Sequence, residues 1–108
     1  MSIKLPSPIS AYFTADSKDG DAVAQCFTND AIVTDDGQTY RGVSAIKEWR
    51  DKASLIFTYT TEPFASRIES GLTVVTAHVV GNFPSSPVDL RYAFGLDGDK
   101  IASLRVTP

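Results

Sequence analysis

Apolar residues recur at helical spacing in the first half of the chain and at strand spacing in the second. Ile9, Tyr12 and Phe13 stand at i, i+3 and i+4, one face of a helix. Pro6 and Pro8 give this helix an extended lead-in, with Ser7 as its expected cap and Pro8 at its first position, where the missing N–H costs nothing. It should end by Gly20. Val23, Cys26 and Phe27 repeat the spacing in a second short helix over residues 22–28, with Asp21 as cap. Residues 31–35 read as a strand closed by the turn Asp36-Gly37, and residues 38–40 as a second extended piece before the break at Arg41-Gly42. The segment SAIKEWRDKAS then predicts the clearest helix. Ser44 caps it, Ile46, Trp49 and Ala53 form its apolar stripe, and Lys47, Glu48, Arg50, Asp51 and Lys52 its solvated side.

After Leu55 the chain turns to β-branched and aromatic residues. Residues 57–61 and 64–69 are strand candidates, with Pro63 marking a break or an edge position. LTVVTAHVVGNF is apolar on both parities, as expected of a strand covered on both faces. Residues 88–96 alternate, placing Leu90, Tyr92, Phe94 and Leu96 on one face and Asp89, Arg91, Ala93 and Gly95 on the other. Asp97-Gly98 signals a hairpin into a last strand over residues 100–106. Three helices around one early strand, followed by long antiparallel strands, define an α+β domain with helices packed on one face of a sheet. The face of Leu90, Tyr92, Phe94 and Leu96 carries more apolar surface than three short helices readily cover, so a homodimer through the sheet is expected.

Length bounds this to a single domain, residues 1–108. Ten basic residues against thirteen acidic, with no Lys/Arg run, leave nothing to meet a phosphate backbone, and nucleic-acid binding is disfavoured. The single cysteine, Cys26, has no disulfide partner and no neighbours at metal-ligand spacing. No segment approaches the ~20 apolar residues of a membrane span, and the N-terminus lacks a signal-peptide core. A cytoplasmic protein without metal or cofactor is expected.

The order of elements brings a resemblance into view. AYFTADSKDGDAVAQCFTNDAIVTDDGQTYRGVSAIKEW resembles the opening of the nuclear transport factor 2-like superfamily, and within it of the SnoaL-like polyketide cyclases and ketosteroid isomerases. RYAFGLDGDKIASLRV is similar to the closing hairpin of that family, and the two stretches cover about half the chain. The resemblance implies a cone-shaped fold, a strongly curved sheet wrapped around the three helices, with a pocket at the open end for a small, largely apolar molecule.

Through the frame Ala31-Ile32-Val33-Thr34-Asp35, the resemblance places Asp35 at the isomerases' general base. A carboxylate in an apolar pocket can take a proton from carbon next to a carbonyl. As a bare sequence feature, Asp35 serves equally well as a turn cap, although Asp36 is the better turn residue. Tyr12, or Phe13 with the helix shifted by one, lies where those isomerases place a tyrosine donor to the enolate; its spacing also fits core packing. The second donor of the family falls at Arg91, a fixed cation able to pair with Asp35 or hold a ligand anion; a place at the sheet's outer rim, beside Asp89 or Glu69, suits it equally. His78, the lone histidine, is an acid/base candidate if its strand face lines the pocket and otherwise a core or interface residue. Trp49 and Tyr59 are expected in the pocket wall. Three functions follow as alternatives: proton transfer on an apolar carbonyl compound by Asp35, His78 and Arg91; a non-catalytic binding or dimerisation module; and an epoxide hydrolase-like site of Asp35, Asp89 and Arg91.

Overall fold

A computed structural model describes residues 3–108, in three helices and six strands. In chain order these are α1 (Ser7–Asp16), α2 (Gly20–Ala24), β1 (Phe27–Asp35), β2 (Gln38–Arg41), α3 (Val43–Ile56), β3 (Tyr59–Glu69), β4 (Leu72–Gly81), β5 (Val88–Asp97) and β6 (Lys100–Thr107). The strands form one sheet in the order β2-β1-β6-β5-β4-β3. β1 and β6 run parallel and every other pair antiparallel. The α+β class expected from the sequence is thus observed, with a mixed sheet that stays open at the edges β2 and β3.

Several boundaries move for identifiable reasons. Ser7 lies inside α1, whose N-cap is Pro6. α2 is only five residues long and is capped by Asp19, whose Oδ1 accepts from the Ala22 N–H at 2.9 Å, so Phe27 opens β1. α3 starts at Val43 behind Gly42, whose φ of 86° is open to glycine at little cost. The two strand candidates flanking Pro63 are one strand with a bulge between Pro63 and Ala65. That strand is an edge, where a residue without an N–H is tolerated.

Cross-strand register sorts the sheet into two faces. Asp35 pairs with Val106, Val106 with Tyr92 and Tyr92 with Val75, so the acid at the end of β1 shares a row with core residues. Val33, Leu104 and Phe94 make the next row. The helices cover this inner face. Ile9 and Tyr12 of α1, Val23 of α2 and Ile46 of α3 join its side chains in the buried cluster. Tyr12 and Phe13 meet Tyr92 and Phe94 at ring separations of 5.2–6.3 Å that are mostly edge-on, the favoured aromatic geometry.

Two expectations change here. β4 is not covered on both faces: Thr73, Val75, Ala77 and Val79 are buried, whereas His78 and Val80 are exposed. The face of Tyr92 and Phe94 is the one beneath α1, so it offers no surface for a second copy.

α2 docks on α3 through close contact at Gly20, whose N–H donates to Asp51 Oδ1 at 2.8 Å. A Cβ at Gly20 would sit 2.5 Å from that oxygen and 2.6 Å from the Lys47 carbonyl. Gly20→Ala should therefore force the helices apart and cost about 1–3 kcal/mol, read as a lower denaturant midpoint at unchanged slope. An unchanged midpoint would show that the docking gives way freely.

Candidate functional site

The inner face continues past the core into a cavity of about 570 Å³ between α1, α3 and the sheet. α1 contributes Tyr12 and Asp16, one helical turn apart on its buried side. α3 contributes Trp49, Arg50 and Ala53. β1 ends in the cavity with Asp35, and Tyr59, Val79, Leu90, Tyr92 and Val106 line it from four further strands. At its mouth Phe57, just past α3, meets Phe83 of the β4–β5 loop edge-on at 6.0 Å. A larger depression of about 700 Å³ along α1 and α2 has only exposed charges, Lys18, Asp99 and Lys100, and thus no desolvated charge to do chemistry.

Asp35 is half-buried, and its Oδ2 accepts a hydrogen bond from Trp49 Nε1–H at 3.0 Å. This neutral donor fixes the carboxylate's orientation. Trp49 is itself held by Tyr40 at 6.2 Å between ring centroids. Asp36 takes the turn, at φ 52°, followed by Gly37 at 76°. Asp35 is therefore left to the cavity.

The deep wall holds a second carboxylate. Asp16, 9% exposed, forms an ion pair with Arg50, 7% exposed, with Nε to Oδ1 at 2.6 Å. Arg50 also donates to the Asp16 main-chain oxygen, and its guanidinium lies 5.5 Å from the centre of the Tyr59 ring. Thr61 Oγ1 approaches the other Asp16 oxygen at 3.5 Å. Burial raises the Asp16 carboxyl above its ordinary value against the pull of Arg50.

Three phenols face this wall, and all hold their protons more tightly than free tyrosine. Burial, then the Asp16 charge, pushes Tyr59 up to about 12. The same two causes, in the same order, raise Tyr12 and Tyr92. An acid whose folded pKa exceeds its unfolded one binds its proton more tightly when folded, so its contribution is intact below ~10 and is lost as pH climbs above it. Stability should accordingly fall from pH ~10 upward, with most phenolate absorbance appearing together with loss of circular dichroism. Phenols that titrate fully at pH ~10 in a folded chain would contradict this.

The structure brings Asp35, Trp49, Tyr59 and Tyr12 to one cavity and sends the other two candidates elsewhere. Tyr12 is 2% exposed and chiefly core, with only an edge on the cavity. Arg91 and His78 lie on the opposite face of the sheet. Arg91 pairs across strands with Thr76 and is exposed, and the His78 Nδ1 meets Asp89 Oδ1 at 2.7 Å in an exposed pair. Strand parity is the cause: Arg91 and Tyr92 cannot face the same way, and Tyr92 faces in. No Asp35–Arg91 pair forms, and Asp35, Asp89 and Arg91 do not assemble a hydrolase site. Among the described residues no group of three or more His, Cys, Asp or Glu side chains gathers to hold a metal, and no helix is long and apolar enough to cross a membrane.

An open mixed sheet under three helices, with a carboxylate at the inner end of β1, defines the class of fold. A solved Sinorhizobium meliloti protein, provisionally named a polyketide cyclase, is 38% identical over 95% of both chains with a TM-score of 0.89. The chain belongs to the SnoaL-like, nuclear transport factor 2-like superfamily. A Catenulispora acidiphila protein with a ketosteroid isomerase-like fold, solved in complex with trimethylamine, is 16% identical over 97% of this chain and 87% of its own, at TM-score 0.85. A nuclear transport factor 2-like protein of Burkholderia xenovorans is 19% identical over 93% and 85%, at 0.74. These two share the fold. No family model matches the chain, and no curated protein matches it.

Proposed function

We propose that the protein binds a small carbonyl compound in the inner-face cavity and removes a proton from the carbon next to the carbonyl, with Asp35 as base. The observation that carries this reading is the Asp35 carboxylate, half-buried and oriented by the Trp49 N–H at 3.0 Å, at the edge of a largely apolar cavity. A base needs reach and orientation first, and a desolvating wall second. The enolate oxygen formed would be met by the hydroxyl of Tyr92, which stays protonated and so acts as a neutral donor, whereas the Tyr59 hydroxyl is already bonded to Asp16. Tyr92 thus replaces Arg91 as the donor contributed by β5. No cofactor enters this scheme, since the proton moves between Asp35 and carbon.

The test is exchange of α-protons for deuterium on a panel of cyclic ketones in heavy water, followed by NMR. Exchange faster than buffer for at least one ketone supports the reading. Ketones that bind without faster exchange would instead favour a non-catalytic binding module of the same fold.

The proposed homodimer moves to the outer face. There Glu62, His78 and Asp89 form one cross-strand row, and Arg67, Arg91 and Arg105 lie on neighbouring rows. A two-fold copy can lay acids against arginines in both directions. Light scattering at micromolar concentration should give twice 11.7 kDa, falling toward the monomer in high salt; a monomer at low salt would contradict it.

A further inference from the structure

The cavity's charge narrows the class of ligand it takes, an inference that rests on reading this cavity as the ligand site. Three carboxylates border it, Asp16, Asp35 and Asp36, against the single guanidinium of Arg50. That guanidinium lies 2.6 Å from Asp16 with both groups about nine-tenths buried, so the two charges offset one another. What remains toward the cavity is the negative field of Asp35, with the exposed Asp36 of the turn at its rim. Arg91, the cation expected to oppose Asp35, is on the far face of the sheet. Trp49, Phe57, Tyr59, Phe83 and Tyr92 line the space and give a ligand's apolar body its contacts.

An entering carboxylate would lose its water and face the Asp35 charge, with that of Asp36 at the rim. An ammonium on the same apolar body would be attracted by these same charges. A neutral alcohol falls between. We infer that the cavity is selective for organic cations, compounds whose apolar body carries a protonated amine, and rejects the corresponding carboxylates. Taken with the proton-transfer reading, the substrate class is a cyclic ketone bearing a basic amine.

A matched series separates charge from shape: cyclohexylmethylamine, cyclohexylmethanol and cyclohexanecarboxylate near neutral pH and low salt. Trp49, the one tryptophan, stands in the wall and reports occupancy by fluorescence. The amine should bind about tenfold more tightly than the alcohol, and the carboxylate most weakly. Asp36→Asn keeps the turn, since Asn tolerates positive φ, and should shrink the amine preference severalfold, as should added salt. An amine no tighter than the alcohol, a carboxylate that binds best, or an unchanged preference in Asp36→Asn would overturn the inference while leaving the cavity as a ligand site. If none of the three compounds perturbs Trp49 or releases heat in calorimetry, the ligand-site reading falls, and this inference with it.

Discussion

Arg50→Met is expected to cost about 3–5 kcal/mol of stability, enough to unfold a chain of this size in mild denaturant. The reason lies in what the substitution leaves behind. Asp16 is 9% exposed and holds its charge beside the Arg50 guanidinium at 2.6 Å; without that partner it is an uncompensated carboxylate between α1 and the sheet. Arg50 also satisfies a main-chain carbonyl at the end of α1. The double variant Asp16→Leu/Arg50→Met removes both charges together and should recover most of the loss, because replacing a buried pair by apolar groups of similar volume is often neutral. Urea midpoints for the single and double variants check this. A single variant within ~1 kcal/mol of the wild type would mean that water reaches Asp16 freely.

Asp35→Asn should lower the rate of α-proton exchange on a bound ketone by about 10²–10⁴, the usual contribution of a positioned general base. The amide is close in shape and still offers an oxygen to Trp49 Nε1–H, so the fold and the cavity wall should survive. Stability and ketone affinity measured on the same preparation separate loss of the base from loss of the site. Exchange that persists at the wild-type rate would move the base elsewhere in the cavity.

The strand endings and the α+β order were legible in the sequence because period and turn chemistry agree there. Asp36-Gly37 is a turn in the structure as its composition requires, the hairpin signalled by Asp97-Gly98 forms with Gly98-Asp99 as its turn, and Asp35 falls on the inner face as the parity of Ala31 and Val33 demands. Asp16 and Arg50 were not legible as a pair. Each is charged, and charges at the end of one helix and on the polar side of another read as solvated. Their positions nevertheless carried a signal: Asp16 is one turn after Tyr12, and Arg50 one turn after Ile46, both on apolar stripes. A cation and an anion on two stripes that face one core are candidates to meet.

Arg91 shows how two kinds of inference compete. Counting from the family's closing hairpin put it opposite Asp35, while alternation in β5 put it across the strand from Tyr92 and Phe94. Alternation prevailed, since successive side chains on a strand point to opposite faces and no bulge intervenes in the β4–β5 pairing. His78 was ambiguous for a different reason. β4 is apolar on both parities, so periodicity alone could not say which face the helices cover.

Ligands are expected to enter the inner-face cavity, not the outer face of the sheet. Amide chemical-shift mapping during titration with a cyclic ketone tests it most directly. Shifts should concentrate at Asp35, Trp49, Tyr59, Tyr92 and Phe83, with His78 and Arg91 unmoved. Shifts clustered at His78, Asp89 and Arg91, with Trp49 silent, would contradict it.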